Sequence, residues 1–131
     1  MQRLIEEAKK ARLNAYAPYS NFKVGAAIKM KDGTIITGCN VENASYGLAI
    51  CAERNALTSM INMGYKKNEV EMMVIVADTP GPCSPCGACR QVMDELIDND
   101  AKIILTNLKD DIKETNMSEL LPYSFKDGDL N

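Results

Sequence analysis

Two short segments carry the residue types of a catalytic metal site. They are Cys51-Ala52-Glu53 and Pro85-Cys86-Gly87-Ala88-Cys89. The chain contains no histidine, so metal ligands must come from Cys, Asp or Glu. Three thiolates around Zn²⁺ leave one tetrahedral position open for water, which distinguishes a catalytic site from a closed structural one. Glu53 is a carboxylate placed to move protons to and from such a water.

Cys83 leaves a second interpretation of these cysteines open. It extends the later segment to Cys83-x-x-Cys86-x-x-Cys89, which with Cys51 or Cys39 offers four thiolates. Four thiolates suit a closed structural zinc site or an iron–sulfur cluster, and a Cys-x-x-Cys pair alone also fits a redox pair. Cys39 lies in a predicted strand, where a small buried apolar residue is the simpler interpretation. The pairing with Cys-x-Glu favours the three-ligand zinc site.

The first candidate segment is expected to open a helix. Apolar residues recur at helical spacing after Cys51, and Gly64 supplies a C-terminal stop. The exposed N–H groups and dipole of a helix start favour a thiolate there. Two residues along a helix correspond to a turn of about 200°. Glu53 therefore reaches the metal only if the ion lies near the end of the helix.

The second candidate segment is also expected at a helix start. Ser84 is a plausible N-cap and Pro85 suits the first helical position. Cys86 then lies in the first turn, and Cys89, three residues later, lies on the same face. The two thiols can therefore bind one ion together.

The remaining pattern predicts the elements that position these segments. An amphipathic helix is expected at about residues 2–14, and strands at 22–30 and 34–40 are joined by an Asp32-Gly33 hairpin turn. A loop at 43–47, strands at 70–77 and 102–106, and a short helix near 118–121 complete the order α-β-β-α-β-α-β-α. This order predicts a mixed sheet covered by helices on both faces.

Composition limits the classes of function. A length of 131 residues suits a single domain spanning residues 1–131. The longest apolar run, 72–77, is far shorter than a membrane span of about 20 residues, and the N-terminus lacks the apolar core of a signal peptide. The net charge is −3 with no basic stripe, which argues against a polynucleotide partner. An odd count of five cysteines favours a reducing, cytoplasmic location.

Longer motifs across nearly the whole chain resemble the small, three-cysteine, homotetrameric cytidine deaminases. A ligand-x-Glu segment followed by Pro-Cys-x-x-Cys is common to zinc base deaminases, whereas the flanking motifs are more specific to this family. The motifs are Tyr16-Ala17-Pro18-Tyr19-Ser20-Asn21-Phe22-Lys23-Val24-Gly25-Ala26-Ala27, Gly38-Cys39-Asn40-Val41-Glu42-Asn43-Ala44-Ser45-Tyr46-Gly47, Cys51-Ala52-Glu53-Arg54, Pro85-Cys86-Gly87-Ala88-Cys89-Arg90-Gln91 and Glu119-Leu120-Leu121-Pro122.

The resemblance implies an α/β fold, a three-layer α-β-α sandwich with a mixed, mostly five-stranded sheet. It implies one Zn²⁺ per chain bound by Cys51, Cys86 and Cys89, with Glu53 as the proton shuttle and Cys83 as a bystander. Beside Glu53, the guanidinium of Arg54 can donate to the thiolates and offset their negative charge. The alternative for Arg54 is a solvated position on the helix surface.

The resemblance also implies which residues bind the substrate. Asn40 and Glu42 would bond the ribose 3′-hydroxyl, and residues two apart on an extended segment do face the same way. The alternative for this pair is turn capping and a solvated charge. Phe22 would pack on the pyrimidine, with a plain core position as its alternative. Ala52 belongs to the same set, and three residues would complete neighbouring sites across subunit interfaces: Ala44, Tyr46 and Phe125.

The expected activity is hydrolytic deamination of cytidine and deoxycytidine to the uracil nucleosides and ammonia, in pyrimidine salvage. Rival enzymes would deaminate a modified cytosine nucleoside or polynucleotide cytosine; the Asn40-x-Glu42 pair argues against the first and the acidic charge against the second. A rival from another class is a zinc-stabilised binding module. Glu53 discriminates here, because a structural site has no need of a carboxylate beside its metal.

Overall fold

One mixed sheet of five strands forms the centre of the computed structural model, which describes residues 1–125. The strands are β1 Val24–Met30, β2 Ile35–Cys39, β3 Val70–Ala77, β4 Lys102–Asn107 and β5 Ile112–Thr115. Their order across the sheet is β2-β1-β3-β4-β5. Only β3 and β4 among these neighbours run parallel, and the other pairs are antiparallel.

Helices cover both faces of the sheet. They are α1 Gln2–Arg12, α2 Ala52–Asn62, α3 Gly87–Leu96 and the short α4 Met117–Leu120. On one face, apolar residues of α1 such as Leu4 and Ile5 pack against Val74 and Val76 of β3. The alternate β3 residues belong to the larger cluster on the other face, together with α2 and α3. The expected three-layer α-β-α sandwich with a mixed five-stranded sheet is confirmed.

The β1–β2 hairpin forms at the predicted Asp-Gly turn. Gly33 has a φ of +93°, a left-handed conformation that glycine adopts without steric cost. The Asp32 carboxylate accepts a hydrogen bond from the Thr34 N–H at 2.9 Å, as expected for a short polar side chain in a turn. The turn therefore forms for the reasons that the sequence indicated.

Two predictions about secondary structure were wrong. Strand β5 was not predicted, because its Ile112-Lys113-Glu114-Thr115 sequence carries little apolar signal and forms an edge strand. Helix α3 begins at Gly87, so Ser84 is not its N-cap and Pro85 is not its first residue. Cys86 is the N-cap instead, because its sulfur accepts a hydrogen bond from the Cys89 N–H at 3.5 Å.

Within residues 1–125, no helix has both the length and the apolar character needed to cross a bilayer.

Candidate active site

The N-termini of α2 and α3 bring three thiols together. The Sγ atoms of Cys51, Cys86 and Cys89 all lie within 4.8 Å of one another. Cys51 is the N-cap of α2, with φ −74° and ψ 156°. Cys86 is the N-cap of α3, with φ −68° and ψ 165°. Both residues therefore have extended backbone just outside their helices, and Cys89 adds a buried thiol from the first turn of α3.

This cap geometry explains how Glu53 can share a site with Cys51. Because Cys51 is not itself helical, the turn of about 200° between helical residues two apart does not separate their side chains. Glu53 lies in the first turn of α2 and is only 4% exposed. Burial raises the pKa of the Glu53 carboxyl above its ordinary value. The position favours a carboxyl that holds and releases a proton.

The thiols perturb each other's protonation. The Cys89 thiol donates a hydrogen bond to the Cys51 sulfur, which lowers the pKa of Cys51 to about 5. The same bond raises the pKa of Cys89. Cys51 is thus the first of the pair to become a thiolate, the form that binds metals.

Arg54 places a positive charge against the thiols. Its Nη2 lies 3.9 Å from the Cys51 sulfur and donates to the Ala49 carbonyl oxygen at 3.1 Å. Its Nε is buried and has no hydrogen-bond partner within residues 1–125. The contact supports the charge-offsetting interpretation of Arg54 over the solvated one.

The donor set fits zinc. Three sulfur ligands, one of them with a depressed pKa and a guanidinium beside it, suit Zn²⁺ with a fourth position open. Cys83 is outside this group: its thiol donates to the Ile75 carbonyl oxygen at 3.2 Å, and burial raises its pKa to about 11. Cys39 also lies outside the group and is half-buried at the end of β2, less buried than predicted. The described residues therefore favour three thiolates over four.

A cleft of about 260 Å³ lies against the thiols. It brings together four residues that were predicted to contact substrate or move protons, namely Phe22, Asn40, Ala52 and Glu53. Phe22 is 45% exposed, so the plain core interpretation of this side chain is wrong. The complete lining is Phe22, Val24, Asn40, Cys51, Ala52, Glu53, Ile75, Ala77, Thr79, Cys83, Ser84 and Cys86.

Asn40 shapes the wall of this cleft through its amide. Its Nδ2 donates to the Phe22 carbonyl oxygen at 2.8 Å, and its Oδ1 accepts from the Val24 N–H at 2.8 Å. An Asn amide offers two donors and two acceptor lone pairs. One N–H and one lone pair of Asn40 therefore remain for a ligand.

Glu42 caps the turn that precedes Phe22. Its Oε1 accepts from the N–H groups of Tyr19 and Ser20 at 3.0 and 3.1 Å, and its Oε2 accepts from the Ser20 hydroxyl. The Ser20 hydroxyl lowers the pKa of the Glu42 carboxyl. Both Asn40 and Glu42 thus bond to residues 19–24, as expected for side chains two apart on an extended segment. In the isolated chain, Glu42 therefore caps a turn, as the alternative interpretation of this residue expected.

The remaining predicted residues do not join the 260 Å³ cleft within one chain. Glu42 and Tyr46 line a separate cleft of about 350 Å³. Ala44 is exposed, and Tyr46 and Phe125 are 85% and 57% exposed. The backbone of Phe125 is held by Gln91, whose Nε2 donates to the Phe125 carbonyl oxygen at 3.0 Å.

Sequence reasoning missed the wall of the cleft formed by the end of β3 and the loop after it. Ile75, Ala77 and Thr79 line this wall. A usable signal existed, because ligand sites in α/β sheets lie beyond the carboxyl ends of parallel strands. The strands at 70–77 and 102–106 were both predicted, but their parallel pairing was not.

An open three-thiolate site beside a buried carboxylate defines a zinc-dependent hydrolytic enzyme. Residues 1–105 match the model of the cytidine and deoxycytidylate deaminase zinc-binding region, and the chain belongs to this family.

Relatives agree with the family assignment along the whole chain. The cytidine deaminase of Halalkalibacterium halodurans is 55% identical over 130 residues, covering 99% of this chain and 97% of that protein. The cytidine deaminase of Sporosarcina psychrophila is 49% identical over 131 residues, covering 100% and 95%. The 1.6 Å crystal structure of cytidine deaminase from Burkholderia pseudomallei has 54% identity and a TM-score of 0.92, covering 95% of this chain and 98% of that one.

Proposed function

We propose that the chain catalyses hydrolytic deamination of cytidine and deoxycytidine to uridine and deoxyuridine, with release of ammonia, as a step of pyrimidine salvage. The observation that carries the proposal is a single cleft in which Glu53 and two of the three thiols lie beside Phe22 and Asn40. Relatives named cytidine deaminase, alike over nearly the full chain, support the choice of substrate.

Glu53 performs the proton transfers of the reaction. Zinc, held by Cys51, Cys86 and Cys89, supplies Lewis acidity and a hydroxide nucleophile at neutral pH when bound. Glu53 accepts the proton released from water and delivers it to N3 of the pyrimidine, which prepares C4 for attack. After attack, Glu53 takes the proton of the new C4 hydroxyl and passes it to the amino group, so that the C4–N bond breaks, ammonia departs and the C4 carbonyl forms. Burial suits this role, because it raises the pKa of the Glu53 carboxyl above its ordinary value.

The other proposed site residues hold the nucleoside in register or offset the charge of the thiolates. The free N–H and lone pair of Asn40 bind the ribose 3′-hydroxyl, and Glu42 joins the same hydroxyl. Phe22 packs on the pyrimidine ring, and Ala52 lines the cleft next to it. Such positioning lowers the entropic cost of bringing C4 to the nucleophile. Arg54 offsets the negative charge of the thiolates.

The working unit is a homotetramer of single-domain chains, each with residues 1–131 as one catalytic domain. Ala44, Tyr46 and Phe125 complete the sites of neighbouring chains. Support comes from the exposure of Tyr46 and Phe125 outside the cleft of their own chain. The number of four subunits follows from the family resemblance.

The proposed location is the cytoplasm, and the proposed partners are nucleosides and other copies of the chain, with neither polynucleotide nor membrane. All five cysteines are unpaired, which suits a reducing compartment. A net charge of −3 suits a small substrate better than a polyanion.

An ultraviolet assay of the purified protein tests the proposed function. Loss of the cytosine absorbance is expected with cytidine and deoxycytidine, and not with free cytosine, which lacks the ribose that Asn40 binds. If the protein converted a modified cytosine nucleoside but neither cytidine nor deoxycytidine, the proposed substrate would be wrong. Zinc binding without turnover of any nucleoside would favour the binding-module interpretation.

A further inference from the structure

Strand β2 and helix α2 come into direct backbone contact at Gly38. A Cβ built on Gly38 would lie 2.6 Å from the Ala52 carbonyl oxygen, 2.6 Å from the Ala56 nitrogen and 3.1 Å from the Ala56 Cα. All three are backbone atoms, so no change of rotamer can relieve the overlap. The two elements approach this closely because residue 38 has no side chain.

Both sides of this contact carry residues of the cleft. On the strand side, Asn40 follows the last residue of β2 by one position. On the helix side, Cys51 caps α2 and Glu53 lies in its first turn. A hydrogen bond reinforces the contact, because the Asn55 Nδ2 donates to the Cys39 carbonyl oxygen at 2.7 Å.

We propose that Gly38 is a positioning residue that sets the spacing between the nucleoside-holding part of the site, at Asn40, and the metal and proton-transfer part, at Cys51 and Glu53. The proposal rests on the proposed function for the role of Asn40. It adds that a residue touching neither substrate nor metal controls the register between them.

A methyl group at position 38 has two ways to be accommodated, and each disturbs the site. If α2 moves away from the sheet, Cys51 and Glu53 separate from Cys86 and Cys89 on α3. If β2 moves outward, Asn40 leaves its place opposite the thiols. A displacement of about 1 Å in a reacting geometry can cost about 10²-fold in rate.

Gly25 offers a matched control. A Cβ on Gly25 would lie 2.0 Å from the Ala8 carbonyl oxygen and 2.7 Å from the Arg12 nitrogen. This overlap is also with backbone atoms, but it is with α1, on the opposite face of the sheet. Helix α1 carries none of the proposed site residues. The Gly25→Ala variant therefore places a backbone overlap on the face of the sheet that carries neither the thiols nor Glu53.

The experiment compares Gly38→Ala with Gly25→Ala. For each folded variant, zinc affinity is measured by competition with a chromophoric chelator, kcat and KM are measured for cytidine, and Tm is recorded. We expect Gly38→Ala to weaken zinc binding or raise the KM, with kcat/KM falling about 10- to 100-fold. We expect Gly25→Ala to lower Tm while zinc affinity stays at the parent value. Its kcat/KM should fall less than that of Gly38→Ala, even though Gly25 pairs with Cys39 and follows Val24 of the cleft. Parent values in Gly38→Ala, or the same losses in both variants, would overturn the proposal.

A second pair of variants covers the case in which a glycine variant fails to fold. Asn55→Ala removes the bond to Cys39 without adding atoms, and Thr58→Ala removes hydroxyl bonds that stay within α2. Weaker zinc binding or a higher KM is expected for Asn55→Ala alone, and parent behaviour of both variants counts against the proposal. If the parent protein does not convert cytidine, the proposed function fails. Zinc affinity then decides the positioning role, and unchanged affinity in Gly38→Ala and Asn55→Ala overturns it.

Discussion

At the scale of single residues, burial in the first turn of α2 distinguishes the Glu53 carboxyl from that of Glu42. Glu42 is bonded by three donors of the Tyr19–Ser20 turn, which stabilise its charged form. Glu53 is buried instead, and burial favours its neutral form. Of these two carboxyls, Glu53 is therefore the one whose surroundings favour the protonated form.

Replacing Glu53 by Gln is expected to separate chemistry from metal binding. The amide is nearly isosteric, so zinc and the fold are retained, but it cannot accept the proton. We expect kcat to fall by about 10²–10⁴-fold. Steady-state kinetics measure the loss, and metal analysis shows whether zinc is retained. Glu95→Gln, at an exposed position of α3, is the control and should keep parent activity. Substantial turnover by the Glu53→Gln enzyme would remove Glu53 from the proton path.

The cysteines are expected to divide into ligands and a bystander. Cys83→Ser should keep one zinc per chain and most activity, because the Cys83 thiol bonds to the Ile75 carbonyl oxygen and not to the three-sulfur group. Cys86→Ser and Cys89→Ser should lose both zinc and activity. Metal content and activity of the three variants check this. Release of zinc by Cys83→Ser, or visible absorption of an iron–sulfur cluster in the parent, would favour four thiolates.

The site residues differ in how far the sequence could predict them. The roles of Cys51, Glu53, Cys86 and Cys89 could be predicted, because their residue types and spacing indicate the chemistry by themselves. The hydrogen bonds of Asn40 to Phe22 and Val24 could not be predicted, since they join residues 18 and 16 positions apart and depend on how the sheet folds.

At the scale of elements, Asn107 at the end of β4 fastens the loop that forms one wall of the cleft. Its side chain is fully buried. The Nδ2 donates to the Thr79 carbonyl oxygen at 2.9 Å and to the Asp111 carboxylate at 2.8 Å, and Oδ1 accepts the N–H groups of Lys109 and Asp111, each at 3.0 Å. Since Thr79 lines the cleft, β4 supports the site without contacting it.

Replacing Asn107 by Ala is expected to lower the free energy of unfolding. The change removes the four hydrogen bonds of a buried amide, and each such bond contributes about 0.5–1.5 kcal/mol net. Urea denaturation measures the loss, and kcat/KM for cytidine should also fall as the Thr79 loop loosens. Asn62→Ala, at the exposed end of α2, is the control. Equal stability of the two variants would contradict the structural role of Asn107.

The elements were predictable where local pattern and tertiary environment agree. Strand β3 has the predicted bounds of 70–77, because the six consecutive apolar residues at 72–77 leave little choice. The start of α3 was misplaced because Ser84 and Pro85 are good initiators, yet the Cys86 sulfur satisfies the Cys89 N–H. Strand β5 was missed because its pairing with β4 stabilises it more than its own sequence does.

At the scale of the whole molecule, large apolar side chains remain exposed in the segment before α2 and at the end of the described chain. Tyr46, Leu48 and Ile50 are 85%, 64% and 41% exposed, and Tyr123 and Phe125 are also exposed. Clusters of exposed large apolar side chains commonly mark an interface. The distribution supports association through the faces that carry Tyr46 and Phe125.

Shared sites predict that changes near the chain end weaken nucleoside binding without removing zinc. Phe125→Ala and truncation after Pro122 should both raise the KM for cytidine, measured beside metal content. Leu48→Ala, another exposed apolar position, is the comparison for a general loss of surface. Unchanged KM in Phe125→Ala would exclude this side chain from any site.

Mixed oligomers give the sharper test of sharing. Co-expression of Glu53→Gln chains with Phe125→Ala chains should restore activity, because an intact Phe125 from one chain completes a site with an intact Glu53 in another. The amount recovered should follow the fraction of mixed species. An active monomer in sedimentation velocity would end the shared-site model.

The order of the strands has a further consequence for overproduction of the protein. Strand β5, at one edge of the sheet, carries the charged residues Lys113 and Glu114. Strand β2, at the opposite edge, has neither a charged residue nor a proline in Ile35–Cys39. Natural proteins use charges and prolines on edge strands to prevent another chain from pairing with the open edge. Edge-to-edge aggregation during overproduction is therefore expected to begin at β2.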